Sequence, residues 1–491
     1  MPGVIDALRR TAPERVALED GGRGVSYGEL SALVGAEAAW LAQHGVRRCA
    51  LSADNGAGWV VADLALHAAR LPAVPLPGYF TPAQQRHALE DAGVESWLTD
   101  DPEAVLDGWP GFRPVESSPR SGLTLLRRAL DPQAVPPLAE GVTKITYTSG
   151  STASPKGVCL AGADLETVAR SLADVTARVG TARHLCLLPL PTLLENLAGV
   201  YVPLLTGATC VLKPAAETGM SYGGVDAARM LGCIDTARPQ SMILVPELLR
   251  LLLAAVQRGW SPPDSLRFVA VGGASVAPEL LEEARSAELP AFEGYGLSEC
   301  GSVVSLNTPW QQRPGSAGRP LAHCRLSVAE DGEILVHGVS FRGYLGEPPR
   351  RPGEPVRTGD LGEIDEDGYV HVRGRRDNLI VTSFGRNVSP EWVERELLAE
   401  PGIAQAVVFG SAQAWPVALV AAPPQVPVEA RVAAANARLP DYARVRRVAR
   451  LDEPLSLDNG LLTANGRPRR AAIRERHAAL IDSLYRHALA C

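Results

Sequence analysis

Between about residues 140 and 300, short β-rich runs alternate with segments whose apolar residues recur at helical spacing. This alternation restricts the chain to an α/β architecture, a largely parallel sheet covered by helices, with its sites at the carboxyl ends of strands. Residues 142–147, 186–191, 208–212, 241–246 and 267–271 read as strands. A helix carries Leu165, Val168, Ala169 and Leu172 on one face, and residues 247–257 and 278–287 read as further helices.

After about residue 310 the pattern changes to short strands and turns, including 332–338 and 368–374, the latter introduced by Asp365, Glu366, Asp367 and Gly368. A barrel-like subdomain is expected there. Beyond Arg375 come an acidic helix at 390–400, strands at 404–410 and 418–422, and a basic helical tail, which together make a small α+β unit. At 491 residues the chain exceeds a single core. The expected division is a large domain over 1–375 and a small mobile one over 376–491.

A net charge of -7 argues against a surface built to neutralise phosphate backbones, so nucleic acid is excluded as a partner. The eight cysteines are scattered, with no C-x-x-C pair and no histidines at zinc spacing, and read as reduced, mostly buried thiols. No segment approaches the ~20 apolar residues that span a bilayer. The amino terminus lacks the apolar run of a signal peptide, and a cytoplasmic protein is expected. Of 48 basic residues only Lys144, Lys156 and Lys213 are lysine, and the other 45 are arginine, so each retained lysine invites inspection.

The sharpest segment is Tyr147-Thr148-Ser149-Gly150-Ser151-Thr152-Ala153-Ser154-Pro155-Lys156-Gly157, expected between a strand and a helical stretch. Hydroxyls, backbone amides and a lysine together can wrap phosphate oxygens. It is not a Walker A loop, because G-x-x-x-x-G-K-[ST] is not satisfied at Lys156. A glycine-serine loop alone reads as an ordinary polar turn, but the whole string resembles the T-S-G-[ST]-T-G-x-P-K-G signature of the adenylate-forming superfamily. That superfamily comprises acyl-CoA synthetases, nonribosomal-peptide adenylation domains and luciferases. Ala153 stands where glycine is usual.

Further segments resemble the same family in the same order. In Gly294-Tyr295-Gly296-Leu297-Ser298-Glu299 the resemblance implies a tyrosine against adenine, Ser298 at the α-phosphate and Glu299 on magnesium. Val271-Gly272-Gly273-Ala274 resembles the adenine-side loop. Thr358-Gly359-Asp360 resembles a motif whose aspartate accepts from both ribose hydroxyls. Gly374-Arg375-Arg376-Asp377 resembles the interdomain hinge, with Arg375 near ribose and Asp377 as pivot. The run at Gly385 resembles the face turned to the thiol channel after rotation. The resemblance spans about residues 5 to 480.

Two positions depart from the family. Pro189-Leu190-Pro191 is followed by Thr192, where acyl-CoA synthetases often carry histidine. The carboxyl-terminal T-x-x-G-K motif reads Thr463-Ala464-Asn465-Gly466-Arg467, and no lysine follows Lys213 to replace the missing one. Arginine spreads its charge over a planar fork and does not automatically serve a pocket shaped for an ammonium.

The resemblance implies an ATP- and Mg-dependent, AMP-forming ligase. A carboxylate attacks the α-phosphorus, Lys156, Glu299 and Arg467 stabilise charge, Ser298 positions the phosphate, and a thiol then takes the acyl group. Coenzyme A is the default acceptor, with a carrier-protein thiol or an amine as alternatives. Arg467 and Thr192 also motivate adenylation of a small oxyanion such as nitrite, or a degenerate chain that only binds nucleotide or acid. Gly296-Leu297-Ser298-Glu299-Cys300 nearly spells a serine-hydrolase elbow but lacks its final glycine. Thr192, Leu193, Val245, Val271, Gly294 and Ser302 are the candidates for lining the acid pocket.

Overall fold

The computed structural model describes residues 3–131, 133, 135–148, 155–221, 224–274, 276–351, 353–383, 386–463 and 466–486. Two sheets dominate the first three hundred residues. In the nine-stranded sheet, Ala291–Tyr295, Phe268–Val271, Ser241–Leu244, Arg183–Cys186, Thr209–Leu212 and Val16–Asp20 lie side by side and parallel. Short antiparallel strands close both edges: Ser305–Leu306 and Arg319–Pro320 on one side, Arg23–Ser26 on the other. The central strands are buried on both faces, as runs such as Ser241–Leu244 require.

The second sheet has seven strands, with Cys49–Ser52 paired in parallel to both Ala73–Pro75 and Ser96–Thr99. At one edge Val142–Thr148 turns back into Lys156–Ala161, antiparallel, with Tyr147 opposite Gly157 and Thr148 opposite Lys156. The signature string therefore joins two strands rather than a strand and a helix. Gly157 to Ala161 are buried throughout, which holds the segment in the sheet, and the helix Gly162–Val179 begins only afterwards.

The run 186–191 also departs from expectation, because the strand ends at Cys186. Pro189 and Pro191 have no N–H to give a ladder. The peptide there is satisfied by a side chain instead: Asn55 donates to the Leu188 carbonyl at 2.9 Å and accepts the Leu190 N–H at 2.8 Å. A π-helical segment, Glu195–Tyr201, follows and leads into Val202–Thr206.

Lys144 sits in the strand that leads into the signature string and is only 2% exposed. Its ammonium donates to Asp63 Oδ1 at 2.8 Å and to Asn196 Oδ1, while Asn196 and Tyr201 donate to Asp63 Oδ2 at 2.9 and 3.1 Å. A buried charge is tolerated only when paired and hydrogen-bonded in this way. The retained lysine thus pins the strand Val142–Thr148 to the helix Ala57–Ala68 and to the π-helical segment.

Cys324–Val328, Glu333–Gly338, Val356–Ile364 and Val370–Arg375 form a four-stranded antiparallel sheet in chain order. Beyond it, Gln405–Phe409, Val417–Ala421 and Arg447–Arg450 make a three-stranded sheet. The helices Pro390–Leu398 and Val428–Ala437 pack on it with a core around Val393, Leu397, Val408 and Val432, separate from the core of the large sheets. The fold class is the expected one, a large α/β domain of two helix-covered sheets and a small α+β unit, and the four-stranded antiparallel sheet, its edge strands unpaired with each other, stands where a barrel-like subdomain was expected. Among the described residues the seven cysteines are free, six of them buried. No described helix is long and apolar enough to cross a membrane.

Candidate active site

One cavity of about 2130 Å³ opens where the carboxyl ends of the parallel strands meet the antiparallel sheet and the small unit. Lys156, Gly273, Ala274, Gly294, Tyr295, Ser298, Glu299, Asp360, Arg375, Asp377 and Arg467 line it, as do Thr192, Leu193, Val245, Val271 and Ser302. Ser149, Gly150, Ser151 and Thr152 lie outside the described residues, as do Gly385, Ala464 and Asn465. Thr148 is described as the last residue of its strand.

Asp360 is the hub of one side. It leaves the strand Val356–Ile364 opposite Arg375, whose guanidinium donates to Asp360 Oδ1 at 3.1 Å and to the Thr358 carbonyl at 3.1 Å. Tyr295 donates its hydroxyl to Asp360 Oδ2 at 2.6 Å. Desolvation, reinforced by this carboxylate, raises the Tyr295 pKa far above the ordinary phenol range, so the ring stays neutral. Three candidates, Tyr295 lying 65 residues before Asp360 and Arg375 15 after it, thus form one hydrogen-bonded set.

Close backbone approach explains the glycine after Tyr295. A Cβ on Gly296 would stand 1.6 Å from the Ser302 carbonyl oxygen, a distance no side chain survives. The chain folds back there through the turn Ser298–Cys300, with Ser302 itself at φ 89°, and this fold presents Ser298 and Glu299 to the cavity. No histidine is hydrogen-bonded to Ser298 among the described residues, which removes the base a hydrolase would need.

Glu299 meets a residue that sequence reading missed. Tyr344 donates to Glu299 Oε1 at 2.9 Å, and its ring lies 4.6 Å beneath the Lys156 ammonium. Lys156 also pairs with Glu347 at 3.1 Å, both side chains being more than half exposed. The segment that carries Tyr344 is held against the strand Lys156–Ala161 by Leu345 N–H to the Gly157 carbonyl at 2.8 Å and Arg342 N–H to the Cys159 carbonyl at 2.7 Å. The signal available in the sequence was Gly343-Tyr344, a glycine beside an aromatic.

From the small unit, Arg467 Nε donates to the Gly273 carbonyl at 2.8 Å, across 194 residues of chain. Arg467 is fastened by its own backbone, with its N–H on Thr463 Oγ1 at 3.0 Å and its carbonyl accepting from the Thr463 N–H at 2.7 Å. Arg467 is exposed and lines the cavity. Desolvation lowers the guanidinium pKa, Arg375 adds to this, and Asp360 opposes it.

Glu293, which precedes the tyrosine motif, faces the same cavity. Burial pushes its carboxyl up to about 8, with Arg395 and the Val276 N–H opposing. The native chain therefore holds a proton that the unfolded chain has released, and stability falls as pH rises toward 8. Glu293→Gln cannot ionise. Its melting temperature is expected to exceed that of the parent by an amount that grows from pH 5 to 8, reaching about 2–4 °C, and a gap constant across that range would contradict the protonation.

Residues 6–345 match the AMP-binding enzyme family, and residues 377–489 match the AMP-binding enzyme C-terminal domain. The chain belongs to the AMP-binding enzyme family. It is 28% identical over 420 residues to a 2-succinylbenzoate–CoA ligase of Bacillus subtilis, covering 81% of this chain and 82% of that one. It is 30% identical over 444 residues to a Mycobacterium tuberculosis 3-[(3aS,4S,7aS)-7a-methyl-1,5-dioxo-octahydro-1H-inden-4-yl]propanoyl:CoA ligase, covering 84% and 85%. A solved o-succinylbenzoate CoA synthetase from Bacillus subtilis, in complex with its acyl-adenylate intermediate, superposes with a TM-score of 0.77 at 25% identity, over 96% of this chain and 97% of that one.

Proposed function

We propose that this chain activates a carboxylic acid with ATP, releasing pyrophosphate and forming an acyl-adenylate, and transfers the acyl group to the thiol of coenzyme A. The observation that carries this reading is the convergence of Lys156, Tyr295, Glu299, Asp360, Arg375 and Arg467 on one cavity that also has an apolar wall for an acid. The 2-succinylbenzoate and indanedione-propanoyl relatives are both CoA ligases, which favours coenzyme A over a carrier protein, an amine, or nitrite chemistry.

Asp360 and Arg375 form the ribose side, with Tyr295 and the Gly272-Gly273 backbone along the base. Lys156 and the Ser298 hydroxyl would serve the phosphate side. Arg467 brings a fixed positive charge toward the acid and the α-phosphate, where charge develops as pyrophosphate leaves. No side-chain nucleophile is required, because the acid's carboxylate oxygen attacks phosphorus directly.

The donor set fits a magnesium ion. Glu299 offers a hard carboxylate with one oxygen held by Tyr344, and one carboxylate plus substrate phosphates is how Mg is commonly bound. When bound, the ion would neutralise phosphate charge.

In the second half-reaction the small unit, 376–491, turns about Asp377, withdraws Arg467 and brings the segment at Gly385 toward the adenylate for attack by the thiol. The test is acid-dependent exchange of labelled pyrophosphate into ATP across a broad acid panel. Exchange is the expected result. Tight ATP binding with no exchange for any acid would replace this reading by the degenerate binder.

A further inference from the structure

The cavity does not end on an apolar floor. His184 and Ser241, near the amino ends of two neighbouring strands, also line it, with Leu172, Val175 and Phe268. Val245, just past the carboxyl end of the same strand, lies four residues further along the chain, which sets Ser241 roughly 13 Å from it at the usual rise of an extended strand. His184 Nδ1 lies 2.9 Å from Ser241 Oγ, and His184 Nε2 lies 3.4 Å from Glu195 Oε1. Ser241 and His184 are 4% and 5% exposed, and Glu195 is fully buried.

This relay is built into the backbone. Glu195 enters on the π-helical segment, and Gly199 of the same segment leaves room for it. A Cβ there would stand 2.4 Å from Glu195 Oε1 and 3.2 Å from His184 Nε2. Among the described residues Glu195 Oε2 has no hydrogen-bond partner, so a proton is better placed on Oε1, toward His184.

The protonation logic follows from burial. An unneutralised carboxylate is costly here, and desolvation raises the Glu195 pKa against the opposing pull of His184. One proton therefore lies between Glu195 Oε1 and His184 Nε2, whether as acid and imidazole or as carboxylate and imidazolium. In both placements His184 keeps its Nδ1–H and donates it to Ser241 Oγ. No other partner for the Ser241 hydroxyl exists among the described residues, so its O–H is a donor left for the cavity.

We propose that the acid carries a neutral hydrogen-bond acceptor, such as a carbonyl or ether oxygen, at the end remote from its carboxylate, and that Ser241 reads it while His184 and Glu195 hold Ser241 in the donating orientation. This rests on the reading that the cavity takes an acid beside ATP. A polar site that has paid to order its donor discriminates against a ligand that leaves that donor unpaired.

The test is calorimetric binding, with a nonhydrolysable ATP analogue present, of two arylalkanoic acids of equal length, one with a ketone at its far end and one with methylene there. The keto acid is expected to bind about tenfold more tightly, a difference of about 1.4 kcal/mol. In Ser241→Ala the ratio falls to about one, with affinity for the methylene acid within about twofold of the parent. The double substitution His184→Leu with Glu195→Leu removes the relay without stranding a buried charge. It is expected to reduce the ratio although Ser241 remains.

Equal binding of the two acids, preference for the methylene acid, binding of neither, or a ratio that survives in Ser241→Ala would overturn the proposal. Because binding is read apart from turnover, absence of pyrophosphate exchange alongside an intact ratio would sink the ligase reading and uphold the recognition.

Discussion

Arg467→Ala is expected to lower acid-dependent pyrophosphate exchange by roughly 100-fold or more, the usual cost of removing one donor aimed at transition-state charge. Thiolysis of an acyl-adenylate supplied ready-made should change by no more than about threefold, because the proposed second half-reaction withdraws Arg467 from the site. The split is the informative part. A merely structural loss would depress both half-reactions together. Arg467→Lys restores a cation but not the Nε–H that reaches the Gly273 carbonyl at 2.8 Å, so exchange should recover only in part. Full recovery would mean that charge alone matters at this position.

The second large effect is expected at Asp360. Its carboxylate accepts from Tyr295 at 2.6 Å and from Arg375 at 3.1 Å, and it is 7% exposed. Asp360→Ala leaves a partly buried phenol and a guanidinium without their acceptor, beside a second arginine whose charge Asp360 also offsets. The ribose side of the site should then collapse. We expect kcat/KM for ATP to fall about 100-fold or more, chiefly through KM, because the ribose contacts are made alike in ground and transition states. Loss confined to kcat, with ATP affinity unchanged, would place Asp360 outside the nucleotide site.

Much of this was legible in the sequence, and the residues show why. Tyr295, Asp360 and Arg375 are each an unremarkable turn or charge when taken alone. Their order along the chain predicted one site, and the structure brings them within hydrogen-bonding distance. The parallel strands were equally readable, because a run buried on both faces has few polar choices.

What escaped reading depends on partners distant in sequence. The run 186–191 has strand composition, but its prolines need Asn55 to satisfy the neighbouring peptides, and nothing local announces Asn55. Tyr344 reaches Glu299 only because its segment is clamped to the strand Lys156–Ala161. His184, Ser241 and Glu195 were invisible as a group, since a lone histidine, serine and glutamate in three different elements become a relay only when the strands pair and the π-helical segment packs over them.

The central claim is that an acid oxygen bonds to the α-phosphorus. It is tested most directly with acid labelled with 18O in both carboxylate oxygens, incubated with ATP and coenzyme A and read by mass spectrometry of the nucleotide product. Adenylation followed by thiolysis leaves one labelled oxygen in AMP, because the attacking carboxylate oxygen stays on phosphorus when the thiol displaces it. Unlabelled AMP, or ADP with the label in inorganic phosphate, would contradict it.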